Sequence, residues 1–183
     1  MIRSLFFFPF LIISLWAQDG APLHNVEIGG GDVFPLSGFE ADNYSAGPAL
    51  RPGYEIRPSK FFGAEVGWTQ AWLPHEQCSR FGCEYPRETL KLLDYGLRGH
   101  LPITAGRVDL SLGVGGGYVW HQTDSFFGNS VLLQYSGKAS VALNHSGSLR
   151  AAVTLRTWRD LGRPTQQWLS TTGSLIYGFG GHH

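Results

Sequence analysis

Apolar and polar residues alternate along most of this chain, and the alternation is clearest from Val108 to His121. The even positions there are apolar, aromatic or glycine and end in Tyr118 and Trp120. The odd positions are mostly glycine or polar, with Asp109 among them. Because successive side chains of a strand point to opposite faces, a period of two predicts a β-strand with one apolar and one polar face.

The same alternation predicts eight strands in succession. An even number of strands joined in sequence predicts an all-β fold, an eight-stranded antiparallel up-and-down barrel. The predicted strands are Asn25–Phe34, Ala49–Arg57, Phe61–Trp72, Glu88–Ile103, Val108–His121, Val131–Leu143, Ser148–Arg159 and Gln167–Gly180.

Loop lengths alternate as well. The segments after odd-numbered strands are long, namely 35–48, 73–87, 122–130 and 160–166. Those after even-numbered strands are short, namely 58–60, 104–107 and 144–147. Outer-membrane barrels have long outer loops and short periplasmic turns, so this alternation predicts a transmembrane barrel.

Most charged residues of the predicted strands share the polar face. Arg or Lys facing lipid at the bilayer midplane costs roughly 2–4 kcal/mol, so the charged face is expected to point into the barrel. Eight strands enclose a space that side chains can fill, and charges there must be paired. The predicted lumen ion-pair network is Glu27, Arg51, Glu55, Glu65, Asp94, Arg98, Asp109, Lys138, Arg150 and Arg156.

Aromatic residues cluster near the strand ends, as expected of belts at two membrane interfaces. The predicted belt beside the long loops is Trp68, Trp72, Tyr118, Trp120, Trp158 and Trp168. The predicted belt at the opposite end is Phe61, Phe62, Tyr177 and Phe179.

The N-terminus predicts a secretory signal peptide over residues 1–17. Arg3 supplies a positive charge, Leu5–Trp16 is an apolar segment, and Ala17 offers a small residue for cleavage. The apolar segment is shorter than the roughly 20 residues of a membrane-spanning helix. Residues 18–183 are then expected to form a single barrel domain.

Charge and cysteine content restrict the partners and the chemistry. The chain has 14 basic and 14 acidic residues, so no nucleic acid partner is implied. Cys78 and Cys83 are predicted to form a disulfide in an exported protein. Their spacing, even with His75 nearby, supplies too few ligands for a metal site, and no cofactor is expected.

These patterns together resemble the small eight-stranded outer-membrane barrels of the OmpA/OmpX type and the broad outer membrane protein β-barrel domain group. The resemblance covers residues 25–180 and includes glycine-rich strands at 28–31 and 113–117. It implies a monomer in contact with lipid in the bacterial outer membrane. One departure is that Phe179 is followed by Gly180, Gly181 and two histidines, whereas such barrels often end in an aromatic residue.

The predicted function is non-enzymatic: an envelope-structural role or contact with a surface partner through the long loops, with Phe81 and Tyr85 as candidate contacts. One alternative is a soluble periplasmic, lipocalin-like barrel that binds a small apolar ligand. A narrow pore and a lipid A-modifying enzyme are the others. The only local Ser–His match for such an enzyme, His145-Ser146, lies in a predicted turn and is better explained by turn chemistry.

Overall fold

The computed structural model describes residues 23–38, 44–74, 77–79, 82–84, 87–104, 107–122, 127–162 and 166–180, with the backbone alone for 77–79, 82–84, 87 and 127–128. Its strands are β1 (His24–Ser37), β2 (Gly47–Ser59), β3 (Phe62–Pro74), β4 (Gln77–Ser79), β5 (Gly82–Glu84), β6 (Arg87–Ile103), β7 (Val108–Gln122), β8 (Phe127–Ala142), β9 (Leu149–Asp160) and β10 (Gln167–Phe179). Among these residues, none lies in a helix with the length and hydropathy needed to cross a bilayer.

Eight of the strands close into one antiparallel barrel. Their order around the wall is β1, β10, β9, β8, β7, β6, β3, β2, so every neighbour pair except β1–β10 is consecutive among the barrel strands. The register shows how strongly the strands tilt. Following the paired residues from Gly31 through β2, β3 and β6 leads to His121 on β7. Following them from Gly31 in the other direction, through β10, β9 and β8, leads to Ser111 on β7, ten residues from His121. Such a stagger is what closing a tilted sheet requires.

The prediction of an eight-stranded barrel is confirmed, and most strand ends lie within two or three residues of the predicted ones. The largest difference is β8, which begins at Phe127 rather than Val131. A second difference is the hairpin β4–β5 within a predicted loop, where the backbone places Cys78 directly opposite Cys83.

The faces of the barrel are inverted relative to a water-soluble protein. Large apolar side chains on the outer face are exposed, including Leu112, Leu97 and Val153. Their neighbours along the strands point inward, and most of these are charged, polar or glycine. Barrel interiors and lipid-facing surfaces of transmembrane barrels are arranged in this way.

The two ends of the barrel differ in how the strands are connected. At the short-turn end, residues 60–61, 104–107 and 143–148 link neighbouring strands. In the last of these turns, Asn144 Oδ1 accepts from the Leu149 backbone amide (3.1 Å) and Gly147 adopts a positive φ of 68°. These are turn-forming roles of Asn and Gly. At the opposite, long-loop end the barrel strands are linked by residues 38–46, 75–86, 123–126 and 161–166, and only the first two of these connections are longer than the six-residue turn 143–148.

Candidate functional site in the barrel interior

All ten residues predicted to line the lumen point into the barrel. Nine of them are buried, and the Glu27 side chain is 12% exposed. Each lies on the polar face of its strand, so the alternation alone determines its direction. With Gln134 they form two groups. The central network contains Glu27, Arg51, Glu65, Asp94, Arg98, Gln134, Lys138 and Arg156. The lower cluster lies nearer the short turns and includes Glu55, Asp109 and Arg150 of the predicted residues, together with Arg57 and His100.

Arg98 and Glu65 form the best-connected pair of the central network. Arg98 donates from Nη2 to Glu65 Oε1 (2.7 Å) and from Nε to Oε2 (3.2 Å), which makes the pair bidentate. The guanidinium also donates to Ser111 Oγ (3.2 Å) and Ser136 Oγ (2.9 Å). Because a buried charge is tolerated only when paired and hydrogen-bonded, this arrangement is what the interior requires of Arg98.

Other pairs connect strands that are not neighbours in the wall. Arg51 on β2 donates to Asp94 on β6 (2.7 Å) across the width of β3. Lys138 on β8 pairs with Glu27 on β1, which also accepts from Ser174 Oγ (2.7 Å). The central network therefore bridges the interior rather than lining one side of it.

His100 completes the lower cluster. Its Nε2 lies 2.6 Å from Glu55 Oε1 and its Nδ1 lies 2.8 Å from Asp109 Oδ2. Arg57 also belongs to this cluster and donates from Nη1 to Asp109 Oδ2 (3.2 Å). The lower cluster thus contains Glu55, Arg57, His100, Asp109 and Arg150.

Four interior residues that the structure places in ion pairs, Arg57, Glu88, His100 and His121, were not among the predicted lumen residues. Arg57 Nη1 donates to Asp109, and His121 Nδ1 lies 2.8 Å from Glu88 Oε1. His100 and His121 each contact a carboxylate. The alternation of the strands indicates the inward direction of all four, because each lies on the same face of its strand as a residue that was predicted to line the lumen.

Inward glycines make room for the charged side chains. A Cβ at Gly67 would lie on the Arg51 guanidinium, and one at Gly63 would contact the Glu55 carboxylate. One at Gly113 would meet Ser136 Oγ at 2.6 Å and Arg98 Nη2 at 3.2 Å. The glycine-rich strands therefore have a packing role in the narrow interior.

The long-loop end of the interior is filled by an apolar plug, which sequence analysis did not predict. Every barrel strand contributes at least one buried residue to it, and Tyr44 packs against it. The plug consists of Val33, Ala49, Ala71, Leu73, Leu90, Leu92, Val119, Leu132, Trp158 and Trp168.

The predicted aromatic belt is wrong for Trp158 and Trp168. Both lie on the inward faces of β9 and β10 and are 1% and 0% exposed, so they fill the plug instead of facing outward. Their parity decided this, since each shares a face with inward polar residues such as Arg156 and Ser170. Proximity to a loop does not tell which face a residue occupies.

The other aromatic residues of the predicted belts lie on the outer surface. Trp68, Tyr118 and Trp120 form a group nearer the long loops, with the Trp68 and Trp120 rings 5.6 Å apart, and Trp72 faces outward on the same strand as Trp68. Phe61, Phe62, Tyr177 and Phe179 lie near the short-turn end. There, His24 adds an unpredicted contact, since its ring stacks on Phe179 (5.3 Å).

Several candidate residues lie outside the described part of the chain. These are residues 1–17 of the predicted signal peptide, His75, Phe81 and Tyr85. Of Cys78 and Cys83 only the backbone is described, so the disulfide stays a prediction. Among the described residues, no three His, Cys, Asp or Glu side chains converge as metal ligands.

Comparison with solved structures gives consistent fold matches. Neisserial surface protein A matches with a TM-score of 0.66 at 12% identity, covering 88% of this chain and 100% of that one. Ail of Yersinia pestis, in complex with the heparin analogue sucrose octasulfate, matches at 0.56 and 13%, covering 85% and 97%. OprG of Pseudomonas aeruginosa matches at 0.53 and 10%, covering 87% and 95%.

The chain has the fold of the small eight-stranded outer-membrane β-barrels. The resemblance found in the sequence is therefore confirmed at the level of fold. No family model matches the sequence, and no curated protein matches it.

Proposed function

We propose that this protein is a non-enzymatic integral β-barrel of the bacterial outer membrane, with a side-chain-filled interior and an envelope-structural or surface-interaction role. The observation that carries the proposal is the inversion of its faces. Leu112 is 76% exposed on the outer surface, while Arg98 and Asp94 are fully buried inside. In water this distribution would expose a continuous apolar surface, but in a bilayer the same surface contacts lipid.

The contents of the interior support a structural role rather than a pore. Pairs between strands that are not neighbours, such as Arg51–Asp94, occupy the middle, and the apolar plug occupies the long-loop end. A water-filled channel needs a continuous polar path along the interior. The apolar side chains of the plug, which come from all eight barrel strands, interrupt such a path.

The alternative of a soluble ligand-binding barrel has less support. A lipocalin-like barrel would hold its apolar ligand among inward apolar side chains and present its charges to water. Here the charged residues of the central network and the lower cluster point inward, and the large aliphatic residues of the barrel's middle point outward.

A lipid-modifying enzyme is likewise not favoured by the Ser–His candidate. In the turn after β8, Ser146 Oγ lies 2.8 Å from Ser148 Oγ, and Asn144 Nδ2 donates to the same Ser148 hydroxyl (2.9 Å). The turn residues thus bond to one another, in agreement with a turn-forming role for this segment.

A role in surface contact would rest on the long loops. The hairpin β4–β5 extends from the long-loop end, and its two strands pair over Gln77–Ser79 and Gly82–Glu84. Ail, which shares the fold, is described in complex with a heparin analogue. We propose by analogy that any surface partner of this protein meets the long loops, with Phe81 and Tyr85 as the residues to test first.

The deciding experiment is fractionation followed by a heat-modifiability gel of protein expressed with its N-terminal segment. A membrane barrel should be found in the outer-membrane fraction and should change its migration after boiling in detergent. Soluble periplasmic protein that needs no detergent would overturn the proposal.

A further inference from the structure

His100 on β6 is held between two carboxylates of the lower cluster. Its Nε2 lies 2.6 Å from Glu55 Oε1 on β2, and its Nδ1 lies 2.8 Å from Asp109 Oδ2 on β7. None of the three side chains is more than 8% exposed. Because β2 and β7 are not neighbours in the wall, the imidazole connects two strands that share no backbone hydrogen bonds.

Two contacts of this kind need two protons. A neutral imidazole carries one N–H, and its other nitrogen is an acceptor. With a neutral ring and both carboxylates ionised, a nitrogen lone pair would face a carboxylate oxygen at hydrogen-bonding distance with no donor between them, which is costly in a buried site. A second proton within the group Glu55, His100 and Asp109 makes both contacts hydrogen bonds.

Charged side chains from the surrounding strands face this group. They are Glu27 (β1), Arg57 (β2), Glu65 (β3), Arg98 (β6), Lys138 (β8) and Arg150 (β9). Arg98 is paired with Glu65, and Lys138 with Glu27. Arg57 donates to the same Asp109 oxygen that His100 contacts (3.2 Å). Since a cation beside a carboxylate favours its ionised form, the second proton is assigned to the ring.

The charge of the described interior agrees with a protonated histidine. The ten predicted lumen residues are acids and bases in equal number, and the structure adds Arg57, Glu88 and Asp160 to them. The described interior therefore has one more carboxylate than Lys or Arg, and one imidazolium balances it. His100, with both nitrogens against carboxylates, is a position where the geometry requires that charge.

We propose that Glu55, His100 and Asp109 form a proton-dependent clamp, in which a protonated imidazole ties β2 to β7 and releases one of them when it loses its proton. This goes beyond the structural role proposed above, because it makes the stability of the short-turn end respond to pH.

The direction of the response follows from where the proton is held. A free imidazole is mostly neutral above about pH 6.5, so the unfolded chain has released this proton there, whereas the folded clamp retains it. The stability that the clamp provides is therefore fully present below about pH 6.5 and is lost as the pH rises and the folded clamp releases its proton.

NMR of the imidazole nitrogens tests the proton directly, with the purified wild-type barrel in detergent micelles and His100 assigned through its backbone resonances. At about pH 8, where a free imidazole is neutral, His100 should show two protonated ring nitrogens. A ring with one unprotonated nitrogen at that pH would overturn the proposal.

The pH dependence of stability gives an independent test, by urea unfolding in liposomes between about pH 6 and 9. The unfolding equilibrium constant of the wild type should rise with pH, by up to about tenfold per pH unit where only the folded state holds the proton. Glu55→Gln should flatten this rise. Its amide NH2 can donate to an unprotonated ring nitrogen, so a neutral imidazole keeps both contacts.

His145→Gln is the control for loss of a titratable side chain, since His145 is an exposed histidine in the turn after β8. That variant should keep the wild-type pH profile. Equal profiles of the wild type and Glu55→Gln would contradict the proposal. If Glu55→Gln fails to fold, the NMR measurement on the wild type decides.

Discussion

Arg98 and Glu65 are joined by two parallel hydrogen bonds across the β3–β6 interface, and both side chains are buried in the barrel interior. Breaking such a buried pair by removing one partner leaves the other charge uncompensated, whereas replacing both can be nearly neutral. The pair therefore stabilises the contact between β3 and β6 only when both residues are present.

We predict that Glu65→Gln lowers the free energy of unfolding by about 3–5 kcal/mol, because Arg98 is left buried without its carboxylate. The double variant Glu65→Gln/Arg98→Met should recover a substantial part of the loss. Urea unfolding in liposomes, followed by the gel shift of the folded barrel, measures both. Lys91→Gln, which removes an exposed contact with Gln122, serves as control and should change stability by less than about 1 kcal/mol.

Gly67→Val should destabilise the barrel by about 3–5 kcal/mol, because its Cβ would displace the Arg51 guanidinium from Asp94. Gly99→Val is the matched control, since a Cβ at Gly99 meets nothing within 4 Å. The same urea titration applies. Equal effects of the two substitutions would show that the inward glycines are not needed to seat the charged side chains.

Trp168→Ala should cost about 3–5 kcal/mol, since it removes a fully buried aromatic side chain from the apolar plug. Leu112→Ala on the outer surface should cost far less. Planar-bilayer recording adds a second measurement: the wild type should give no discrete conductance steps. A steady ion conductance from the wild type would contradict the proposed structural role of the plug.

Charge placed on the outer surface should be penalised according to depth. Val114→Arg, near the middle of β7, should lower the free energy of unfolding in liposomes by about 2–4 kcal/mol, whereas Leu143→Arg at the short-turn end should lower it by about 0–1 kcal/mol. Both residues are about half exposed, so the two sites are comparable. A surface that faces water would tolerate both substitutions equally.

The predicted disulfide can be tested without any assay of function. The backbone places Cys78 opposite Cys83 in the hairpin β4–β5. We expect a maleimide reagent to label the denatured, exported protein only after reduction, with both thiols then reacting. Labelling at both positions without a reductant would show that the pair is unoxidised.

The fold and the direction of the lumen residues could be predicted from the sequence because both depend on a period of two. Asp94, Arg98 and His100, for example, share one face of one strand, and the cost of charge in lipid decides which way that face points. The pairing of Arg51 with Asp94 could not be predicted, because it depends on the stagger of the closed sheet, which strand patterns do not specify.

The apolar plug could not be predicted from the sequence for a related reason. Apolar residues such as Leu90 and Val119 lie on inward positions near the long-loop ends, where the assignment of apolar residues to the outer face no longer holds. Trp158 and Trp168 were misplaced because nearness to a loop was given more weight than their parity along the strand. Cavity filling is a property of the assembled interior, and no single strand encodes it.

The seam between β1 and β10 has a consequence for the order of assembly. It pairs His24 with Phe179 at one end and Ser37 with Gln167 at the other, partners about 130 to 155 residues apart, whereas most other strand pairs of the barrel are joined by local connections. Contacts so distant in sequence form slowly, and until they form, two strand edges remain unpaired. Lys138 on β8 can form its ion pair with Glu27 on β1 only after β1 and β10 have paired. Pairing of β1 with β10 is therefore expected to be the final and rate-limiting step of folding. It leaves the barrel with no unpaired strand edge through which another chain could add.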